Sequence, residues 1–160
     1  MRTINFMDAQ TEYQLLEQIP QGVVLAFDFG QSRIGVAIGN NMLGIARSLM
    51  TIDSEVTERR FAVIAQLIET WKPVLIVVGL PMNSDGTAHE MTQLSQRFAR
   101  RLTGRFNIKV VLQDERYTSQ TASAALREVG ITGRKQKSVL DQVAAQQILK
   151  SFFDEQHAIT

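Results

Sequence analysis

A single aspartate set in an oily run is the feature that most constrains this chain. Val23 to Gly39 reads VVLAFDFGQSRIGVAIG: an apolar strand, a polar turn around Gly30, and a second strand of small and branched residues. On strand geometry Val24, Ala26, Asp28 and Gly30 share one face, while Val23, Leu25, Phe27 and Phe29 share the other. Both faces are apolar, which predicts a central strand covered on both sides. An unpaired charge there is costly, so Asp28 needs a cation, a metal, or an exit to solvent at the strand end.

The rest of the chain supplies what such a strand needs around it. Ile34 to Ile38 is predicted as the second strand, with Gly35, Ala37 and Gly39 leaving one of its faces nearly bare. Gly39-Asn40-Asn41 favours a hairpin, and Leu43 to Ile52 is a less apolar third strand suited to an edge. Thr57 to Trp71 carries Phe61, Ile64, Ile68 and Trp71 at helical spacing, with Pro73 just beyond. Val74 to Val78 is a short continuous apolar run, as in a buried parallel strand.

A helix over about His89 to Gly104 follows, with Met91, Leu94, Phe98 and Leu102 as its stripe, then a strand from Ile108 to Leu112. Ser119 to Val129 reads as helical. Gly133 to Lys137 reads as a basic loop, and Ser138 to Phe153 as a last helix with Leu140, Val143, Ala144, Ile148 and Phe152 inward. Three strands on tight turns, then alternating helices and strands, define an α/β fold. It is a ribonuclease H-like mixed five-stranded sheet with helices on both faces.

Three acids occupy related places in that scheme. Asp28 is near the end of the central strand, Glu115 follows the last strand, and Asp141 falls in the first turn of the predicted last helix. Groups beyond the carboxyl ends of parallel strands converge on one crevice. Like charges there raise one another's pKa values, and divalent cations relieve the repulsion. With no cysteine in the chain and no second histidine near His89, the hard oxygen donors point to Mg²⁺ or Mn²⁺. Two such ions can activate water and stabilise the leaving oxygen in phosphodiester hydrolysis. Asp28, Glu115 and Asp141 are thus the candidate metal ligands and catalytic residues. Asp114 is a fourth acid, on the wrong side of the strand if pairing runs that far. Each has a structural alternative: Asp28 capping the turn through Ser32 or pairing with Arg33, Glu115 pairing with Arg116 or an arginine of the second helix, and Asp141 closing a capping box with Ser138.

The net charge of +1 does not by itself announce a nucleic-acid partner, so the local distribution of basic groups carries that reading. Arg134, Lys135 and Lys137 precede Asp141 and are candidates for phosphate contact; Arg33, Arg116 and Thr118 are counted with them as substrate-binding. Arg97, Arg100, Arg101 and Arg105 are read as a solvated helix face, with an extended phosphate track as the alternative.

The segments FDFGQSRIGVAIG, VVGLPMNSDGT, DERYTS and KSVLDQVAAQQIL resemble, in this order, the bacterial YqgF (RuvX) family. Its members are described as candidate Holliday junction resolvases and as nucleases maturing the 5′ end of 16S ribosomal RNA. The resemblance covers about Val23 to Phe153. It implies a ribonuclease H-like fold, metal-dependent phosphodiester hydrolysis, and catalytic acids at Asp28, Glu115 and Asp141. Structured RNA is then the expected substrate, with branched DNA as the alternative and a homodimer left open.

Residues 22–155 are expected to form that domain, and residues 1–21 an N-terminal extension to which no role is carried. No apolar run is long enough for a membrane span, and the lack of cysteine agrees with a cytoplasmic protein. Two other readings compete. The strand pair around Asp28 also resembles the phosphate-binding start of actin-like sugar kinases, but those need two such domains. A non-catalytic nucleic-acid-binding module would keep the fold without cleaving.

Overall fold

Continuous apolar runs become the middle of a sheet because both of their faces can be covered, and the computed structural model follows that rule. It describes residues 19–83, 85–87, 89–115 and 133–159. Five strands, β1 (Val23–Phe29), β2 (Arg33–Asn40), β3 (Ile45–Asp53), β4 (Leu75–Leu80) and β5 (Val110–Asp114), lie in the order β3-β2-β1-β4-β5. The β1–β2 and β2–β3 pairs are antiparallel; β1–β4 and β4–β5 are parallel. The mixed five-stranded sheet expected from the sequence is therefore present, with the third strand at the edge.

Helices α1 (Thr57–Trp71) and α2 (Thr92–Phe106) cover one face. Leu25, Phe27, Ile34, Val36, Ile76 and Val78 pack there with Phe61, Ile64, Leu67, Phe98 and Leu102. Helix α3 (Gly133–Ile159) covers the other face, where Val24, Ala26, Ala37, Leu75 and Val77 meet Ala145, Ile148, Leu149, Phe152 and Phe153. The sparse side of β2 is what lets this helix come close. A Cβ on Gly35 would fall inside the carbonyl oxygen of Asp141, so helix backbone rests directly on strand backbone at that point. Two hydrogen bonds tie the same helix to the edge strand: Thr51 Oγ1 donates to the Ser138 carbonyl at 2.7 Å, and Gln146 Nε2 to the Ala46 carbonyl at 3.1 Å.

Several expectations need correction. The basic stretch Gly133 to Lys137 is not a loop; it forms the first turn and more of α3. Arg, Lys and Gln are good helix formers, and the preceding glycine does not break a helix that begins with it. Asp141 is consequently in the third turn, and Ser138 is an interior residue rather than a cap. The buried stripe keeps Ala144, Ile148 and Phe152 as expected but widens to Ala145, Leu149 and Phe153, while Leu140 and Val143 are only partly buried. In α1, Trp71 is exposed although its spacing put it on the apolar stripe. The predicted helix over 119–129 lies outside the described residues.

Arg60 holds the turn that follows β1. Although charged, it is only 6% exposed, and its guanidinium donates from Nη2 to the carbonyls of Gly30 and Gln31, both at 2.7 Å, and from Nε to that of Ser54. It also lies over the Phe29 ring at 5.4 Å. Burial lowers the pKa of this guanidinium, and the Glu55 carboxylate opposes that shift. Replacing Arg60 by Met would remove its hydrogen bonds to these partly buried carbonyls at a cost of about 2–3 kcal/mol. A fall of about 6 °C in melting midpoint is expected. Arg60→Lys should recover little, because one ammonium cannot span the same acceptors. Unchanged melting of both variants would contradict this role.

Candidate active site

The register fixes where the acids meet. Asp28, one residue before the end of β1, is paired with Gly35 on β2. Its alternation with Val24 and Ala26 turns it to the α3 side. On the far side of β4, pairing runs to Leu80–Asp114, and the Glu115 N–H still donates to the Leu80 carbonyl at 3.2 Å. Glu115 therefore continues the strand geometry by one residue, on the face shared by Val111 and Gln113. Its carboxyl lies over Gly79, with Oε2 2.6 Å from where a Cβ on that glycine would stand. A side chain at position 79 would occupy the space that Glu115 uses. Alternation sends Asp114 to the opposite face, as the sequence reading anticipated.

Asp28 and Glu115 consequently share a hydrogen bond, with the Glu115 carboxyl donating to the Asp28 carboxylate. Burial pushes Glu115 up to about 9, reinforced by the charge of Asp28, by this hydrogen bond, and by the charge of Asp114. Burial likewise raises Asp28 to about 7, with the Asp141 charge adding to it and the hydrogen bond from Glu115 opposing it. At neutral pH the pair thus holds a proton that a cation would have to displace.

Asp141 reaches this neighbourhood from α3, but it already has a partner. Arg33 Nε donates to its Oδ2 at 2.7 Å, with side chains 30% and 21% exposed. Arg33 is the first residue of β2, so the turn after β1 delivers a cation to the third acid. The sequence had weighed Arg33 only against Asp28 or as a phosphate contact. Lys137 is exposed on α3, one turn before Asp141. Arg134 and Lys135 are in the first turn of α3, but their side chains, like Arg116 and Thr118, lie outside the described residues.

Among the described residues, no group of three or more His, Asp or Glu side chains stands ready to hold an ion. Two of the expected acids meet, and the third is ion-paired beside them. The donor set still suits a hard divalent cation: two convergent carboxyls, pushed toward protonation by burial and by neighbouring acids, are what such an ion would relieve. Arg60 was missed in the sequence, yet a signal existed, since positions 60, 64 and 67 fall on one helical stripe.

The architecture has counterparts among solved structures. The yeast mitochondrial Holliday junction resolvase aligns over 91% of this chain and 86% of its own, with a TM-score of 0.56 at 11% identity. RuvC of Thermus thermophilus aligns over 85% and 96%, with a TM-score of 0.51 at 12% identity. The fold is thus the ribonuclease H-like fold of the RuvC-type resolvases. Residues 22–155 match the family described as RuvX: Holliday junction resolvase. A Nitrosomonas eutropha protein, provisionally named pre-16S rRNA nuclease, is 60% identical over 93% of this chain and 95% of its own length. A Methylobacillus flagellatus protein with the same name is 61% identical over 84% and 92%. The chain belongs to the RuvX family, and it is a phosphodiester-hydrolysing enzyme, a nuclease.

Proposed function

We propose that this chain is a divalent-metal-dependent nuclease that matures the 5′ end of pre-16S ribosomal RNA in the cytoplasm. The observation that carries the chemistry is the proton-sharing Asp28–Glu115 pair at the carboxyl ends of β1 and β5. The name borne by relatives at 60% identity supports the RNA substrate. Asp28, Glu115 and Asp141 would hold Mg²⁺ or Mn²⁺, which when bound supplies Lewis-acid stabilisation of the phosphodiester oxygens and a more acidic water. Asp28 and Glu115 must lose their shared proton for this, so metal affinity and activity rise with pH between about 7 and about 9. Asp141 joins them when Arg33 turns from its carboxylate to a substrate phosphate. Lys137, exposed one turn before Asp141, would contact a phosphate, and the sequence offers Arg134, Lys135, Arg116 and Thr118 for the same role.

The second reading is a resolvase acting on branched DNA, favoured by the family description and by the fold shared with RuvC. It would need two active sites working as a pair, hence a homodimer. Purified protein offered precursor ribosomal RNA and a four-way DNA junction, each with Mn²⁺ or with chelator, separates the two. Metal-dependent trimming of the RNA alone supports maturation, and symmetrical junction cleavage supports resolution. Binding without cleavage of either would leave a non-catalytic module.

A further inference from the structure

On the face of the sheet opposite the carboxylates lies a cavity of about 100 Å³, lined by Phe29 of β1, Thr57, Arg60 and Phe61 of α1, and Leu94, Arg97, Phe98 and Arg101 of α2. Its floor is aromatic: Phe29 stacks on Phe98 at 4.7 Å, and Phe61 stands 6.0 Å from the same ring. Three guanidiniums surround that floor. Arg60 is fixed in the wall by backbone carbonyls. Arg97 and Arg101, one helical turn apart, are exposed, and neither has a carboxylate partner among the described residues. Arg105 differs, since it pairs with Glu58 at 3.1 Å and covers the Phe61 ring at 4.2 Å. Glu55 is the acid acting on Arg60, so the three arginines keep a positive excess. The amino end of α1 opens here as well, and its N-cap residue Val56 offers no side-chain cap.

We propose that this cavity binds a phosphate group of the nucleic-acid substrate, away from the bond that is cut. The cavity is far smaller than the ~300 Å³ at which small-molecule sites begin, which suits a phosphate rather than a whole nucleotide. Arginine forks match phosphate oxygens in geometry as well as charge. Position relates the cavity to the acids. Phe29 follows Asp28 directly, and the turn held by Arg60 leads into Arg33, the partner of Asp141. A strand whose scissile phosphate lies at Asp28 and Glu115 can cross this turn and present a flanking phosphate to Arg97 and Arg101. The inference rests on the nuclease reading above and adds a second anchoring point to it.

The test uses full-length protein and a fluorescent single-stranded RNA in chelator, with affinity followed against salt. Arg97→Gln/Arg101→Gln should weaken binding about 10- to 100-fold, as expected for losing charged hydrogen bonds. The slope of log K against log salt should fall by about 0.7, the share of one phosphate on a single strand. Arg100→Gln, on the same helix but outside the cavity, is the control and should change little. With metal restored, KM should rise in the double variant while kcat holds, because the cavity is remote from the reacting atoms. An unchanged slope, or an equal loss in the Arg100 variant, overturns the site. Inorganic phosphate that saturates the arginine side-chain NMR signals without displacing RNA also overturns it, in favour of a free-anion site. Metal-dependent cleavage by the wild type reports separately on the nuclease reading, and failure of the wild type to bind nucleic acid at all overturns both.

Discussion

Asp28→Asn protein is expected to cleave at least about 10³-fold more slowly than wild type, the scale lost when one preorganised electrostatic group is removed, and yet to melt at a higher temperature in chelator. The two effects share a cause. Burial raises both, Asp28 to about 7 with the Asp141 charge adding to it, and Glu115 to about 9 with the charge of Asp28 and their hydrogen bond adding to it. A carboxyl raised in the fold contributes stability that is complete below its unfolded value near 4 and lost as pH climbs through the folded value. The chelated wild type should therefore lose melting temperature steadily from pH 6 to pH 9, and Mn²⁺ should restore it. The asparagine removes one of the two charges, so its profile should be flatter and its midpoint at pH 8 higher by about 5 °C. Near-normal cleavage by this variant, or a lower midpoint at pH 8, would remove the carboxylate pair from the mechanism.

Gly35→Ala should be among the most damaging single-atom additions to this chain. The new methyl has no room, because the Asp141 carbonyl occupies its position, and both partners are backbone. The helix must shift away from the sheet, with Ala145, Ile148 and Leu149 losing contact along the way. Overpacking of this kind costs about 3 kcal/mol or more, a fall of roughly 6–12 °C in melting midpoint. Activity should fall beyond what the lost folded fraction explains, since the same shift carries Asp141 off. Thermal melts and cleavage assays on the folded variant check both parts, and a melt within about 2 °C of wild type would show that the helix adjusts freely.

What could be read from the sequence depended on how local its cause was. β1 and β4 declared themselves through unbroken apolar runs, and α1 through a stripe bounded by Pro73, so the sheet and its first helix match expectation closely. The bareness of Gly35, Ala37 and Gly39 was visible too, although not that it seats the carboxyl-terminal helix. The start of α3 was misread because a glycine beside basic residues resembles a loop, whereas docking on the sheet extends the helix back to Gly133. Asp28 and Glu115 could be foreseen as neighbours from their places at strand ends. Arg33 holding Asp141 could not, because the residues are 108 positions apart and neither lies in a local motif that names the other. Arg60 shows the opposite limit: its position on the stripe was legible, but three backbone acceptors for a buried cation are a tertiary fact.

Helix α3 seals one side of the sheet, and it also carries the acid and the carbonyl that press on β2. During synthesis β1 to β5 emerge before it, so a nascent chain can assemble its sheet while the candidate site is still unfinished. With the role proposed for Asp141, hydrolytic competence arrives only when this helix docks, and a half-made copy on the ribosome would be chemically silent.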